Sequence, residues 1–306
     1  MLATGTLPAL TLVALFQTPD LPPEPDVEPE TVHEFGVFLE GIHFATDGTA
    51  YVSDVPGGTV YRIPPDGAPE PWTSAAAPNG HKIYGDGSHL VIAMEDAAIL
   101  RLDGEGNALG DPIVTSEGEP LDRPNDLALD GDGFYFTDPG AFEPSNAEGR
   151  VHYSGPDFQP WPVASGLSFP NGVVLAPNGG TLYVAETLTN RIIAVQLLTR
   201  GLPGRQSELV DLSGEVDPAT DGFLDGITVD QDGNIYAVIH GGGQVYVVSP
   251  GGEVLRRYRA GMAAPANLAF SPTEPGRLYV VGSRDAERTE GAVTVLDLPG
   301  REGVHR

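Results

Sequence analysis

The sequence predicts an all-β protein built from six similar units, and two observations support this prediction. One short phrase, a polar residue followed by an apolar strand, occurs six times along the chain. The copies start at Glu40, Asn79, Asn125, Asn171, Asp225 and Asn267. They lie between 39 and 54 residues apart, which is the spacing of a repeat architecture. In addition, 40 glycines and 29 prolines favour short strands and tight turns over long helices.

Within each unit the predicted elements follow one order. The first strand ends in a turn, such as Asp47-Gly48 or Asp232-Gly233, and an aromatic or apolar second strand follows. A third strand comes next, and a looser fourth strand, such as residues 112–115, ends five of the units. The sixth unit lacks a fourth strand, which residues 31–38 can supply from upstream. Four-stranded units of this length predict a six-bladed β-propeller whose ring is closed by an N-terminal strand.

The predicted propeller covers residues 31–300, between an N-terminal extension (1–30) and a short tail (301–306). Residues 7–16 are apolar but too few to span a membrane. They fit the core of a secretory signal, yet no basic residue precedes Arg62, so export and a cytoplasmic location both stay open. Residues 19–30 are rich in proline and acidic residues, which is typical of a disordered linker.

Composition excludes several classes of function. The chain has no cysteine, which excludes disulfides, thiolate metal sites and cysteine catalysis. A net charge of -27 disfavours binding to nucleic acid or to an anionic membrane. No Gly-x-Ser-x-Gly motif supports a serine hydrolase, and the glycines of residues 104–110 have the wrong spacing for a dinucleotide loop.

The six starting residues, here called the axial residues, are the candidate site. In a propeller the first strand of each blade begins at the central channel, so these side chains are expected to point toward one place. Two carboxylates, Glu40 and Asp225, among amide oxygens form an oxygen cage that suits Ca²⁺ or a similar divalent cation. The alternative is that Asn and Asp before Gly only form turns. Glu40 favours the cage, because glutamate has no such turn preference.

One histidine also qualifies as a site residue. His81 follows Asn79 by two positions and precedes Lys82, the only lysine of the chain. This position predicts a substrate contact in which a basic pair holds an anionic group. The alternative is an ordinary strand histidine.

Four motifs resemble those of the gluconolactonase/regucalcin (SMP-30-like) family of six-bladed propellers, and more distantly those of diisopropyl fluorophosphatase and paraoxonase. They are residues 39–41 (Leu-Glu-Gly), 123–126 (Arg-Pro-Asn-Asp), 169–172 (Phe-Pro-Asn-Gly) and 224–230 (Leu-Asp-Gly-Ile-Thr-Val-Asp). The likeness runs from about residue 33 to residue 298. It implies a metal-dependent lactonase, in which one divalent cation, Ca²⁺ before Mg²⁺, Mn²⁺ or Zn²⁺, polarises the lactone carbonyl.

The resemblance also implies roles for individual residues. Glu40, Asn171 and Asp225 match the metal ligands, and Asn125 lies beside the ion, where it contacts substrate or water. Asp225 is then the general base or the group that positions the attacking water, because a carboxylate on a dication has a depressed pKa. Arg123 matches a substrate-binding residue, and Asn79 and Asn267 take second place. Two other functions stay open, namely organophosphate hydrolysis of the fluorophosphatase type and a non-catalytic binding propeller.

Overall fold

The computed structural model describes residues 20–143, 145, 147–216 and 222–305. Their strands form six main antiparallel sheets, and each sheet is one blade around a central channel. The six-bladed propeller is therefore confirmed. The apolar N-terminal run of residues 7–16 lies outside the described residues. Among those that are described, no helix has the length and apolar character needed to cross a membrane.

The strands follow the order that the repeat predicts. The closing strand is β1 (Glu30–Phe35). Blade 1 contains β2 (Leu39–Phe44), β3 (Ala50–Asp54), β4 (Thr59–Ile63) and β5 (Glu70–Ser74). Blade 2 contains β6 (Pro78–Ile83), β7 (His89–Ala93) and β8 (Ala98–Leu102). A small hairpin, β9 (Thr115–Ser116) and β10 (Glu119–Pro120), then leads to blade 3, with β11 (Leu127–Asp130), β12 (Gly133–Asp138), β13 (Gly149–Ser154) and β14 (Trp161–Leu167).

The second half of the ring repeats the pattern. Blade 4 contains β15 (Pro170–Leu175), β16 (Thr181–Glu186), β17 (Arg191–Thr199) and β18 (Leu202–Asp211). Blade 5 contains β19 (Phe223–Val229), β20 (Ile235–His240), β21 (Gln244–Val248) and β22 (Val254–Arg259). Blade 6 contains β23 (Ala264–Phe270), β24 (Arg277–Ser283) and β25 (Gly291–Asp297). Two 3₁₀ turns complete the described elements, Glu24–Asp26 and Thr187–Thr189.

The ring is closed as the sequence predicts. Strand β1 pairs antiparallel with β25 and so becomes the outermost strand of blade 6, with Glu30 opposite Val295 and Phe35 opposite Gly291. The first and last strands of the described chain thus lie side by side in one sheet. This pairing ties the first blade to the last and covers an edge that an open array would expose.

Blade 2 differs from the prediction of a fourth strand over residues 112–115. In the described chain two isolated bridges, Ile99 with Ile113 and Leu102 with Ala108, continue this sheet beyond β8 in place of a strand. Pro112 has no N–H with which to extend the ladder. After Ile113 the chain leaves the sheet, and the N–H of Leu121 bonds to the carbonyl of Val114 next to the β9–β10 hairpin.

The hydrophobic core lies between neighbouring blades. Leu39 and Ile42 of blade 1 pack in one cluster with Val281 and Val293 of blade 6. The other clusters likewise join side chains from adjacent sheets. Each blade therefore buries both faces and is stabilised mainly by its two neighbours.

The segment expected to be a disordered linker is packed where the structure describes it. Leu21 and Val27 are buried against blade 5, and the Tyr258 hydroxyl donates to the Pro22 carbonyl at 2.8 Å. Two apolar side chains among prolines and acids are enough to hold this short segment on the sheet. The C-terminal tail is packed as well, since Gly303 forms a bridge with Asp230.

Candidate metal and substrate site

Five of the six axial residues lie within the first strand of their blade and adjoin an irregularity in strand pairing, whereas Asn125 lies two residues before β11. The register of β2 against β3 shifts between Glu40 and His43, and that of β19 against β20 shifts between Leu224 and Ile227. Blades 2, 4 and 6 shift at the matching place. Such a bulge turns a side chain out of the regular alternation. These five residues therefore belong to strands, and the turn interpretation does not hold for them.

The glycine after an axial residue allows the next blade to approach. A Cβ on Gly41, whose φ is +48°, would lie 1.9 Å from the carbonyl oxygen of Asn79. A Cβ on Gly172 would lie 2.6 Å from the carbonyl oxygen of Asp225. Real Cβ atoms do not come this close to backbone, so these two positions require glycine. The repeated X-Gly pair thus sets the distance between the inner strands of adjacent blades.

Buried hydroxyl groups fix the backbone of the axial residues from the neighbouring blade. The Ser53 hydroxyl donates to the carbonyl of Asn79 at 2.7 Å, and the Thr137 hydroxyl donates to the carbonyl of Asn171 at 2.8 Å. Each donor stands on the second strand of the preceding blade. The position of the axial side chains is therefore determined by contacts between blades as well as within them.

A cavity of about 730 Å³, here called the mouth cavity, opens at one end of the channel. Five axial residues line it, namely Glu40, Asn79, Asn125, Asn171 and Asp225. Asn267 lines a second cavity in the channel instead. Its side-chain oxygen accepts the N–H of Leu268 at 2.8 Å. The structure thus brings the two carboxylates and three of the four amides together.

The two carboxylates are buried with little opposing positive charge. Burial raises the pKa of Glu40 well above its usual value, and the negative charges of Asp225 and Asp126 raise it further. Burial also raises the pKa of Asp225 to about 7, while Arg288 and a hydrogen bond from Asn171 oppose this shift. Protein side chains alone therefore do not balance the two charges, which is the electrostatic condition of a cation site.

The donor atoms fit a hard divalent cation. Among the described residues no group of three or more histidine, aspartate and glutamate side chains could hold a metal. The mouth cavity instead offers two carboxylates together with amide oxygens, a set of oxygen donors that suits Ca²⁺ or Mg²⁺. Such a set would also supply the two negative charges that a dication requires.

Comparison with known proteins identifies the family. Residues 39–284 match the model of the SMP-30/Gluconolactonase/LRE-like region. Lactonase drp35 of Staphylococcus saprophyticus is 31% identical over 273 residues, which cover 84% of this chain and 81% of that protein. The chain belongs to the SMP-30/gluconolactonase/LRE-like family. Lactonase drp35 of Staphylococcus aureus (strain USA300) is 30% identical over 237 residues, 72% of this chain and 70% of that protein.

Two solved structures illustrate the likeness in fold. A gluconolactonase from Xanthomonas campestris has a TM-score of 0.75 at 24% identity, with 90% of this chain and 91% of that chain covered. The calcium-binding protein regucalcin from Agrobacterium tumefaciens has a TM-score of 0.72 at 22% identity, with 88% and 92% covered. At these identities the likeness shows the fold alone.

His240 lies beside Asp225, one of the two carboxylates of the mouth cavity. Its Nδ1 lies 3.5 Å from Oδ2 of Asp225 and 3.2 Å from the carbonyl oxygen of Pro265. Burial lowers the pKa of His240 to about 4, so the ring is neutral near pH 7. The ring also stacks on Phe223, with centroids 4.9 Å apart. The His240 ring, held in place by Phe223, therefore packs beside the carboxylate of Asp225.

His81 is not brought to the mouth cavity, which corrects the sequence prediction. Its ring is fully buried, its Nε2 lies 2.9 Å from Nδ1 of His89, and it stacks on Trp72. Lys82 lines the second cavity, and its Nζ lies 3.8 Å from Asp126. Strand β6 regains its regular alternation after the bulge, so His81 points into the packing between blades and Lys82 points toward the far part of the channel.

Most residues at the entrance to the mouth cavity were not predicted from the sequence. The residues two positions before five of the axial residues also line it, and we call them the rim residues: Phe38, Ala77, Arg123, Phe169 and Phe223. Phe223 lies within β19, and the other four precede the first strand of their blade, so the repeated position in the sequence held this signal. Arg123, a predicted substrate contact, lies on this rim, and its contact with substrate stays a prediction.

Arg288 lines the mouth cavity but had no signal in the sequence. It lies in the loop between β24 and β25, and its guanidinium carbon stands 5.2 Å from the centre of the Phe38 ring. The loop is held by Asp285, whose Oδ1 accepts the N–H groups of Thr289 and Glu290 at 2.9 and 2.8 Å. Arg288 thus brings a positive charge to the edge of the carboxylate pair.

Proposed function

We propose that the chain is a divalent-metal-dependent hydrolase that opens lactone rings. The observation that carries the proposal is the pair of buried carboxylates, Glu40 and Asp225, gathered with amide oxygens in an accessible cavity of about 730 Å³. Membership of the SMP-30/gluconolactonase/LRE-like family and the similarity to a lactonase support the reaction class.

In this proposal Glu40, Asn171 and Asp225 hold the ion, and Asn125 completes the site beside it. A divalent cation held there supplies polarisation of the lactone carbonyl and stabilisation of the negative charge that develops on its oxygen. The Asn125 amide contacts the carbonyl oxygen or the attacking water. Asn79 and Arg123, which line the same cavity, contact the remainder of the substrate.

Asp225 orients the attacking water by accepting a hydrogen bond from it. A divalent cation held there would lower the pKa of this carboxyl group, so Asp225 would be ionised and able to accept that hydrogen bond. His240, at 3.5 Å, restricts the orientation of this carboxylate.

The proposal is tested by proton release from a panel of lactones. The protein is assayed as purified, after chelation, after Ca²⁺ is restored, and with the variants Asp225→Asn and Glu40→Gln. We expect chelation to abolish hydrolysis, Ca²⁺ to restore it, and each variant to reduce kcat/KM by about 100-fold or more. Glu105→Gln, an equivalent change at an exposed turn, is the control.

Hydrolysis that is indifferent to the chelator and to both variants would place the chemistry elsewhere. Failure to hydrolyse any lactone, with the ion still bound, would refute lactonase activity. The open possibilities would then be phosphoester hydrolysis and a binding function.

A further inference from the structure

The wall of the mouth cavity is largely aromatic. Four phenylalanines from blades 1, 4 and 5 and from the loop after β12 line it, namely Phe38, Phe142, Phe169 and Phe223. Val55, Pro56, Met94 and the alanines at 75–77 line other parts of the wall. Three of the phenylalanines are rim residues, so the repeat places an apolar group above the ring of axial polar groups.

These aromatic rings form one contiguous surface. The ring of Phe142 lies 4.9 Å from that of Phe169 and 5.9 Å from that of Phe223. Phe223 stacks on His240, which lies edge-to-face with Phe38 at 5.8 Å. Phe142 keeps 54% of its surface exposed, although a side chain of this size is usually buried. An exposed aromatic at a cavity entrance is available to a ligand.

Several polar groups of the cavity are already engaged. The Thr187 hydroxyl donates to the carbonyl of Leu224 at 2.7 Å, and His240 Nδ1 faces the carbonyl of Pro265. In the proposed function Glu40, Asn125, Asn171 and Asp225 are directed to the cation and to the reacting ester. Among the described wall residues, the polar side chains left for the rest of a substrate are those of Asn79, Glu95, Arg123 and Arg288.

This composition suits one kind of lactone and not another. A sugar lactone carries a hydroxyl on nearly every ring carbon, and each hydroxyl that loses water without a new partner weakens binding. Phenylalanine rings provide no such partner. An aryl or alkyl substituent, by contrast, would displace water from the aromatic surface and gain free energy with each buried carbon.

We propose that the site prefers lactones with an apolar substituent and selects against polyhydroxylated sugar lactones. This proposal rests on the lactonase function proposed above. In it Phe142, Phe169 and Phe223 contact the substituent, while the lactone group faces the axial residues.

The test compares three lactones with the same six-membered ring. They are δ-valerolactone, which is unsubstituted, δ-decanolactone, which adds a five-carbon chain, and glucono-1,5-lactone, which adds hydroxyl groups. If each buried methylene raises kcat/KM about two- to fourfold, δ-decanolactone should exceed δ-valerolactone by about 30-fold or more. Glucono-1,5-lactone should be no better than δ-valerolactone.

Variants identify the surface that makes the distinction. Phe142→Ala should reduce kcat/KM for δ-decanolactone by about five- to tenfold and change that for δ-valerolactone less than about twofold. Leu198→Ala removes a similarly exposed apolar side chain, 73% exposed on strand β17 outside the cavity, and should change neither.

The outcomes separate this proposal from the lactonase function. A chelator-sensitive enzyme that prefers glucono-1,5-lactone, or whose Phe142→Ala variant keeps the wild-type ratio of the two apolar substrates, overturns the selectivity alone. An absence of turnover with all three lactones overturns the lactonase function and the selectivity together.

Discussion

Replacing Gly172 by alanine tests whether the X-Gly pairs set the spacing of the inner strands. The added Cβ would lie 2.6 Å from both the carbonyl oxygen of Asp225 and the backbone nitrogen of Ile227. Ordinary contacts of a Cβ begin near about 3.4 Å, so β15 and β19 would have to separate by roughly 0.8 Å. Both contacted atoms belong to the backbone, so rotation of a side chain cannot relieve this overlap.

An overlap of this kind with rigid backbone costs about 3 kcal/mol of unfolding free energy. The entropy of unfolding is about 0.6 kcal/mol/K for a chain of this length, so the melting temperature should fall by about 5 °C. Because the displaced backbone carries Asn171 and Asp225, affinity for Ca²⁺ should fall as well.

The assay is calorimetric unfolding without added metal, followed by Ca²⁺ titration of the folded variant. Gly85→Ala is the matched control, because an added Cβ there would have no atom within 4 Å. It should melt within about 1 °C of the wild type. A Gly172→Ala protein with wild-type melting temperature and wild-type Ca²⁺ affinity would refute the account of the X-Gly pairs.

Two further predictions concern charge and hydrogen bonding at the site. Arg288→Met should tighten Ca²⁺ binding roughly threefold or more by titration calorimetry, because the guanidinium stands beside Glu40 and Asp225 and opposes a cation. Arg288→Lys should stay near the wild type, and weaker binding in Arg288→Met would contradict this reasoning. Ser53→Ala should lower the unfolding free energy by about 1 to 2 kcal/mol in urea, because the Asn79 carbonyl loses a buried donor. An unchanged urea midpoint would show that this bond does not stabilise the blade contact.

The sequence predicted the blades because their signals are local and repeated. Alternating apolar residues, Asp-Gly turns and a constant spacing determine each hairpin within its own unit. The axial residues were predictable for the same reason, since one position in six equivalent strands must face one channel. The closing strand was predictable because the sixth unit supplies only three of the four strands that a blade requires.

Other features depend on contacts that the sequence does not show. Asn267 stands one position after the place that Asn171 holds, because the carbonyl of Ala266 lies against Gly226 as that of Asp225 lies against Gly172. Asn267 therefore accepts the N–H of Leu268 and lines the second cavity. His81 faces its neighbouring blade because β6 regains alternation after a bulge. Arg288 reaches the site through a loop shape fixed by Asp285, and Phe142 reaches it through the loop between β12 and β13.

The packed segment of residues 20–29 is a further case. Its composition is that of a disordered chain, and its stability comes from partners distant in sequence. The Tyr258 hydroxyl and the Arg256 guanidinium of blade 5 donate to the Pro22 carbonyl at 2.8 and 3.2 Å. The residues of this segment alone cannot show that its backbone carbonyl groups accept hydrogen bonds from side chains distant in sequence.

Calorimetric titration with Ca²⁺ tests the central claim most directly. The wild type is compared with the double variant Glu40→Gln/Asp225→Asn, which keeps the shape of both side chains and removes both charges. We expect the wild type to bind one Ca²⁺ per chain and the double variant to bind it at least about 100-fold more weakly, with its fold retained. Equal affinity in the two proteins would contradict the claim that these carboxylates form the cation site.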